Sequence, residues 1–160
     1  MTRIVSRVII SAAPSVVWRL ASDLAAQPEW MRDAVAIRFA TDRTAGVGVV
    51  MDCVTRIGPL RLTDRLAVTE WSEGRAIEIR HEGLVRGTGR FTIEPDTDGT
   101  RFTWTEDLRF PWWIGGPAAG AAAWPVLAAT FRRDLTSLRT LAESAARAGS
   151  GRGAAEPGAS

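Results

Sequence analysis

The sequence predicts an α+β domain: a curved antiparallel β-sheet wrapped around a long C-terminal helix, with two short helices after the first strand. The first observation behind this is an apolar stripe over residues 124–145. Trp124, Leu127, Ala128, Phe131, Leu135, Leu138, Leu141 and Ala145 recur at steps of three and four, with Arg132, Arg133, Asp134 and Arg139 mostly on the opposite side. The second is a succession of strand-like runs between residues 35 and 110, separated by short turns, which reads as an antiparallel meander. A stripe of that length must be buried against something wide and apolar, and the meander is the one partner the chain offers. Sheet and helix together imply a cavity between them.

The elements follow in order. Residues 4–11 alternate Val and Ile with Arg and Ser, a first strand. Ala12-Ala13-Pro14 ends it, and Pro14 suits the first turn of a helix whose apolar face is Val17, Leu20, Ala21 and Leu24, with Trp18 beside it. Pro28-Glu29-Trp30-Met31 predicts a second short helix before a strand at 35–39. Further strands are expected at 49–57, 60–71, 75–82, 84–94 and 100–110, with Gly58-Pro59, Ser72-Glu73-Gly74, Gly83 and Pro95-Asp96-Thr97-Asp98-Gly99 as the turns. Pro111-Trp112-Trp113-Ile114-Gly115-Gly116-Pro117 is an apolar linker. The last helix starts near Ala118, and Pro125 should kink it or split off its first turns. Residues 148–160, rich in Gly, Ala, Ser and Pro, are expected to be a disordered tail after a ligand-binding domain spanning 1–147.

Composition narrows the function classes. At 160 residues and 46% hydrophobic, the chain has material for one domain with one core. No window has the roughly 18 consecutive apolar residues that would cross a bilayer, so stable membrane insertion is not expected, and the N-terminus lacks a signal-peptide apolar region. A cytoplasmic location is the default. The pI of 9.8 overstates the basicity, since the formal net charge is only +2. All 20 basic residues are Arg, and Lys, Asn and Tyr are absent, a bias that a GC-rich genome explains. The arginines are scattered among acids, which argues against nucleic-acid binding. Cys53 is the one cysteine, so no intramolecular disulfide forms, and its apolar surroundings suggest an inert buried thiol.

Several short motifs carry a family resemblance over roughly residues 3–146. They are Ile10-Ser11-Ala12-Ala13-Pro14 with Val17-Trp18; Asp23-Leu24 followed by Pro28-Glu29-Trp30; Gly87-Thr88-Gly89-Arg90-Phe91-Thr92-Ile93-Glu94-Pro95; Gly99-Thr100-Arg101-Phe102-Thr103-Trp104; and Asp134-Leu135 with Leu138. In these and in its element order the chain resembles the START-like helix-grip superfamily (SRPBCC), and within it the polyketide cyclase/dehydratase-like branch. The resemblance implies the helix-grip fold and a hydrophobic small-molecule partner, because members bind lipids, sterols, polyketides or plant hormones and some are enzymes. Its motifs are structural, and none is a catalytic signature to carry over.

Candidate site residues come from strand alternation, which assigns every second side chain to one face. Phe102, Trp104, Leu108 and Phe110 share a face that Glu106 interrupts; Ile77 and Ile79 share one with His81; Leu60, Leu62, Leu66 and Val68 share one with Asp64. A buried carboxylate must be paired or have its pKa raised, and either outcome serves acid–base chemistry. His81, the one histidine, is the natural proton shuttle near neutral pH. Glu106 and His81 are therefore the candidate catalytic pair, and Asp64, Phe102, Trp104, Leu108, Trp112, Trp113 and Phe131 the candidate ligand contacts. A bulge in a long strand would reverse the parity, and neighbouring arginines could neutralise the acids as ordinary ion pairs. One histidine without adjacent acids does not make a metal site, and no phosphate loop, nucleophile elbow or cofactor motif is present.

The leading expectation is a cavity that binds a lipid- or polyketide-like compound. The rivals are an aromatase/cyclase or dehydratase that uses the acid–base pair, and a non-catalytic interaction module whose cavity is filled by its own side chains. Phe110–Pro111–Trp112–Trp113–Ile114 is expected to be a lid over the entrance. A homodimer contact and a membrane-surface anchor are the competing readings of its two indoles.

Overall fold

The computed structural model describes residues 1–57 and 59–153. Its β-strands are β1 (Thr2–Ile10), β2 (Ala34–Phe39), β3 (Val50–Ile57), β4 (Leu60–Ser72), β5 (Ala76–Glu82), β6 (Arg86–Asp96) and β7 (Gly99–Arg109). They form one seven-stranded antiparallel sheet in the order β1-β7-β6-β5-β4-β3-β2. Consecutive strands from β2 to β7 pair with each other, as a meander must, and β1 closes onto β7. The two helices are α1 (Pro14–Ser22) and α2 (Gly116–Gly153), and α2 lies along β1, α1 and β7.

Local chemistry explains the connections. Pro14 occupies the first turn of α1, where its missing N–H is not needed, and Val17, Trp18 and Ala21 turn inward. The second short helix is a 3-10 helix over Leu24–Glu29, earlier than the expected start at Pro28. Asp23 caps it, its Oδ1 accepting from the Ala26 N–H at 3.2 Å, so the helix begins at the cap and Pro28 falls inside it. Trp112–Ile114 forms a further 3-10 turn between β7 and α2.

The core is continuous between the sheet and α2. Ala128, Phe131, Leu135, Leu138 and Ala142 are its buried helix residues, opposite Ile4, Ile10, Phe91, Ile93, Phe102 and Trp104. Two assignments on the helix are corrected. Trp124 is half-exposed, its indole N–H donating to the Arg3 carbonyl at 3.2 Å, at the start of β1, the edge strand of the sheet. Asp134, expected on the polar side, is fully buried, since the 32–33 backbone folds over that flank of α2 and gives it a partner. The helix is also longer than expected. It begins at Gly116, runs on through Pro125 and continues to Gly153, past the boundary placed at 147. The early start is favoured by the Ala-rich run at 118–123, whereas the continuation past 147 carries Gly149, Gly151 and Gly153 and has no local sequence explanation. The rest of the expected tail, residues 154–160, lies outside the described residues. Cys53 is buried in the core, and burial pushes its thiol pKa up, as an inert thiol requires.

Candidate functional site

Asp64 in β4, His81 in β5 and Glu106 in β7 all point to the concave face of the sheet. Register accounts for this. Leu66 stands opposite His81 and Gly89 opposite both Ile79 and Glu106, so the three polar residues share parity with the buried Leu66, Ile79 and Leu108. A bulge does occur in β4, between Val68 and Glu70. It lies beyond Asp64 and leaves that residue facing inward.

The three side chains form one row. His81 Nδ1 is 2.5 Å from Asp64 Oδ2, and the Gly83 N–H donates to Asp64 Oδ1 at 2.8 Å. On the other side of the ring, His81 Nε2 is 3.2 Å from Glu106 Oε2, while the Trp104 indole N–H donates to Glu106 Oε1 at 2.8 Å. An ionised Asp64 can only accept, so Nδ1 carries a proton. The Nε2–Oε2 approach lies off the N–H direction, and both atoms are buried without a hydrogen-bond partner. Burial alone would lower the His81 pKa. The contacts to Asp64 and Glu106, with their charges, outweigh it and push the group up to about 10. At neutral pH the ring is an imidazolium held between two acids.

Two glycines make the row possible. β5 and β7 are not neighbours, since β6 runs between them, and two strand spacings amount to about 9.6 Å. His81 and Glu106 meet across β6, where Gly89 has no side chain to stand in the way of the Glu106 carboxylate. A Cβ at Gly89 would collide with Glu106 Oε1, and one at Gly83 with Asp64 Oδ1. In the sequence Gly89 reads as part of a family motif, and this role was not foreseen. A glycine inside a strand is itself a signal of close approach.

The row grades from wet to dry. The Asp64 and His81 side chains are 23% and 17% exposed, whereas that of Glu106 is only 4% exposed. The two carboxylates hold opposite nitrogens of the ring, so the three residues do not converge on a point as metal ligands do. Among the described residues no cluster of His, Cys, Asp and Glu could hold a metal ion.

The candidate ligand contacts divide into two groups. Phe102, Trp104, Leu108 and Phe131 are buried, and Trp104 stacks on Phe131 with ring centroids 4.2 Å apart. Trp30 and Phe91 complete the cluster, so these rings fill much of the space beneath α2 with one another. Trp112 and Trp113 lie outside, 86% and 62% exposed. Trp113, Phe110, Pro111 and Leu84, with Arg86 and Arg109, border a recess of 430 Å³ that reaches Gly83, beside the Asp64 carboxylate. A recess of 770 Å³ touches His81 and Gly87, yet its other walls include Arg80, Glu82, Thr88 and Asp107 on the outward face of the sheet. Those charged walls do not suit an apolar ligand.

A second acidic site was not foreseen. Asp134 Oδ1 accepts from the Arg32 N–H at 3.1 Å, and its Oδ2 is buried without a partner. Burial, and then the charge of Asp33, raise the Asp134 pKa to about 7 against the Arg32 N–H; burial raises Asp33 as well. The Arg32 N–H bond ties α2 to the segment before β2, and the nearby Asp33 charge works against ionisation of Asp134.

The model of the family described as polyketide cyclase / dehydrase and lipid transport matches residues 1–143. No match was found among curated proteins. Among solved structures, a protein from Thermus thermophilus superposes with a TM-score of 0.76 at 18% identity, covering 89% of this chain and 98% of that one. A START superfamily protein from Mycobacterium smegmatis gives a TM-score of 0.72 at 17% identity, covering 90% and 99%. The Zhui aromatase/cyclase from Streptomyces sp. R1128 gives 0.70 at 15% identity, covering 88% and 93%. At these identities the likeness is one of fold.

Proposed function

The chain belongs to the polyketide cyclase / dehydrase and lipid transport family, and from that premise we propose that it binds a hydrophobic, hydroxyl- or carbonyl-bearing small molecule of polyketide- or lipid-like character at the Asp64–His81–Glu106 row. One observation carries the reading. His81 Nε2 and Glu106 Oε2 are a donor and an acceptor 3.2 Å apart, both buried, and neither has a hydrogen bond. The two face each other as an ion pair without an aligned hydrogen bond, so each keeps hydrogen-bonding capacity for a third group. A hydroxyl group answers both, accepting from Nε2–H and donating to Oε2. Apolar neighbours such as Leu66, Ile79 and Leu108 hold the body of the ligand, and the polar row orients it. The recess beside Gly83, Leu84 and Trp113 is the entry route.

The same geometry favours a second reading, catalysis of a cyclase or dehydratase type. An imidazolium against a ligand carbonyl stabilises the oxyanion that forms as the neighbouring carbon is deprotonated, and Glu106 is placed to take that proton. Asp64 acts through His81, fixing the ring and its charge.

Native mass spectrometry of the protein from its own host tests the binding reading. A co-purifying apolar compound in the wild type, lost in Glu106→Gln and His81→Gln variants that still fold, is expected; retention in both variants removes the row from binding. Turnover of a polyketide-like substrate, reduced about 100-fold or more in Glu106→Gln, separates the catalytic reading from binding alone.

A further inference from the structure

We propose that the rim of the sheet around Leu84, Trp112 and Trp113 is a docking surface for an anionic lipid bilayer. Antiparallel pairing brings the start of β4 and β6, the ends of β3, β5 and β7, and the Trp112–Ile114 turn to the same end of the molecule. Leu84 at the β5–β6 turn is 43% exposed, so with Trp112 and Trp113 three large apolar side chains stand in solvent there. Indoles side by side on a short turn are the side chains favoured at the boundary between headgroups and acyl chains.

The charges beside them distinguish a membrane from other occupants. Register sets Arg56 opposite Arg61 and Arg86 opposite Arg109, two like-charge pairs on adjacent strands, and all four residues are exposed. Like charges directly opposite each other destabilise a sheet. Elsewhere the protein resolves the same problem: Glu70 stands opposite Glu78, and Arg90 bridges the two. At the rim no described acid does this. Glu82, across from Arg86, is engaged by Arg80 at 2.6 Å, and Asp107 by Arg3 at 3.3 Å. The four arginines are left facing solvent with a counter-charge missing, and lipid phosphates supply it.

A second copy of the chain fits less well. A twofold interface sets a patch against itself, so the arginine pairs would meet arginine pairs. An anionic bilayer meets both features at once, taking the indoles into its interface and the guanidinium groups among its phosphates. The proposal does not depend on the reading of the Asp64–His81–Glu106 row.

Vesicle co-sedimentation with the full chain tests it, using phosphatidylcholine vesicles with and without phosphatidylglycerol. The wild type is expected to pellet with the anionic vesicles, at least about 10-fold more than with neutral ones, and to show a blue-shifted indole emission. Raised salt should release it. Trp112→Ser with Trp113→Ser, Arg86→Gln with Arg109→Gln, and Leu84→Gln should each weaken binding at least about 10-fold at unchanged melting temperature. Full binding by the tryptophan and Leu84 variants would overturn the proposal, leaving only unspecific charge adhesion. So would absence of binding to anionic vesicles, or a wild-type dimer that the tryptophan variant converts to monomer. Loss of co-purifying ligand in the His81 and Glu106 variants is a separate readout, so the two readings can fail independently.

Discussion

His81 and Glu106 stand on strands that are not neighbours, and they meet 3.2 Å apart across β6, where Gly89 leaves the space open. The intervening strand has given up a side chain at Gly89 so that two others can touch. That exchange costs packing and β-propensity, since glycine weakens a strand, and it yields a charged row inside an apolar face.

Gly89→Ala is the direct test of this relationship. A methyl group there collides with the Glu106 carboxylate, which is enclosed and hydrogen-bonded to Trp104. Destabilisation of about 1–3 kcal/mol is expected, the usual range for overpacking a tight site. The His81 pKa should fall with it, as Glu106 is pushed away. A variant with wild-type stability and an unchanged His81 titration would show that the glycine is incidental.

Much of the fold was legible because periodicity reports burial directly. The meander, its turns and the stripe of Phe131, Leu135 and Leu138 followed from spacing, and so did the inward parity of Asp64, His81 and Glu106. What spacing cannot report is which inward residues touch. The His81–Glu106 contact crosses a whole strand and depends on residues that have no side chain. Trp124, at the end of the stripe, and Asp134, one step off it, are decided instead by what covers them: Trp124 sits half-exposed against the Arg3 carbonyl at the start of the edge strand β1, and the Arg32 N–H receives Asp134.

The His81 titration gives a second prediction. Its pKa is raised from 6.5 to about 10, so the folded protein holds a proton that the unfolded chain releases in that interval. The contribution to stability is therefore complete below about pH 6.5 and is lost as pH rises through about 10. The imidazole proton resonances should titrate far above the ordinary range, and Asp64→Asn should bring the midpoint down. An imidazole titrating near 6.5 in the folded protein would contradict the row as described.

Truncations along α2 separate the buried flank from the exposed one. Phe131→Ala loses the stack on Trp104, and Leu135→Ala opens a hole in the core; each should cost about 2–5 kcal/mol. Arg133→Ala, on the exposed side, should cost under about 0.5 kcal/mol. Denaturant midpoints with unchanged slopes are the measurement. Equal losses at all three positions would mean that the helix is rotated from the orientation described.

Asp134→Asn is expected to make the protein more stable at neutral and alkaline pH, although it alters a fully buried residue of the core. In the wild type, burial and the neighbouring Asp33 hold the Asp134 pKa near 7 rather than 3.8. The folded state thus binds a proton through an interval in which the unfolded state has lost it. Stability contributed by this group is present below about pH 4 and is lost as pH rises through about 7. Asparagine keeps the Oδ1 that accepts from the Arg32 N–H and has no charge to desolvate or to set against that of Asp33. The variant should gain roughly 1–3 kcal/mol over the wild type above neutral pH and little below about pH 4. Urea midpoints for both proteins across that range decide the matter. Parallel curves would show that the Asp134 pKa is not raised by folding, and a variant less stable at every pH would show that the charge itself is needed at this junction of α2 with the segment before β2.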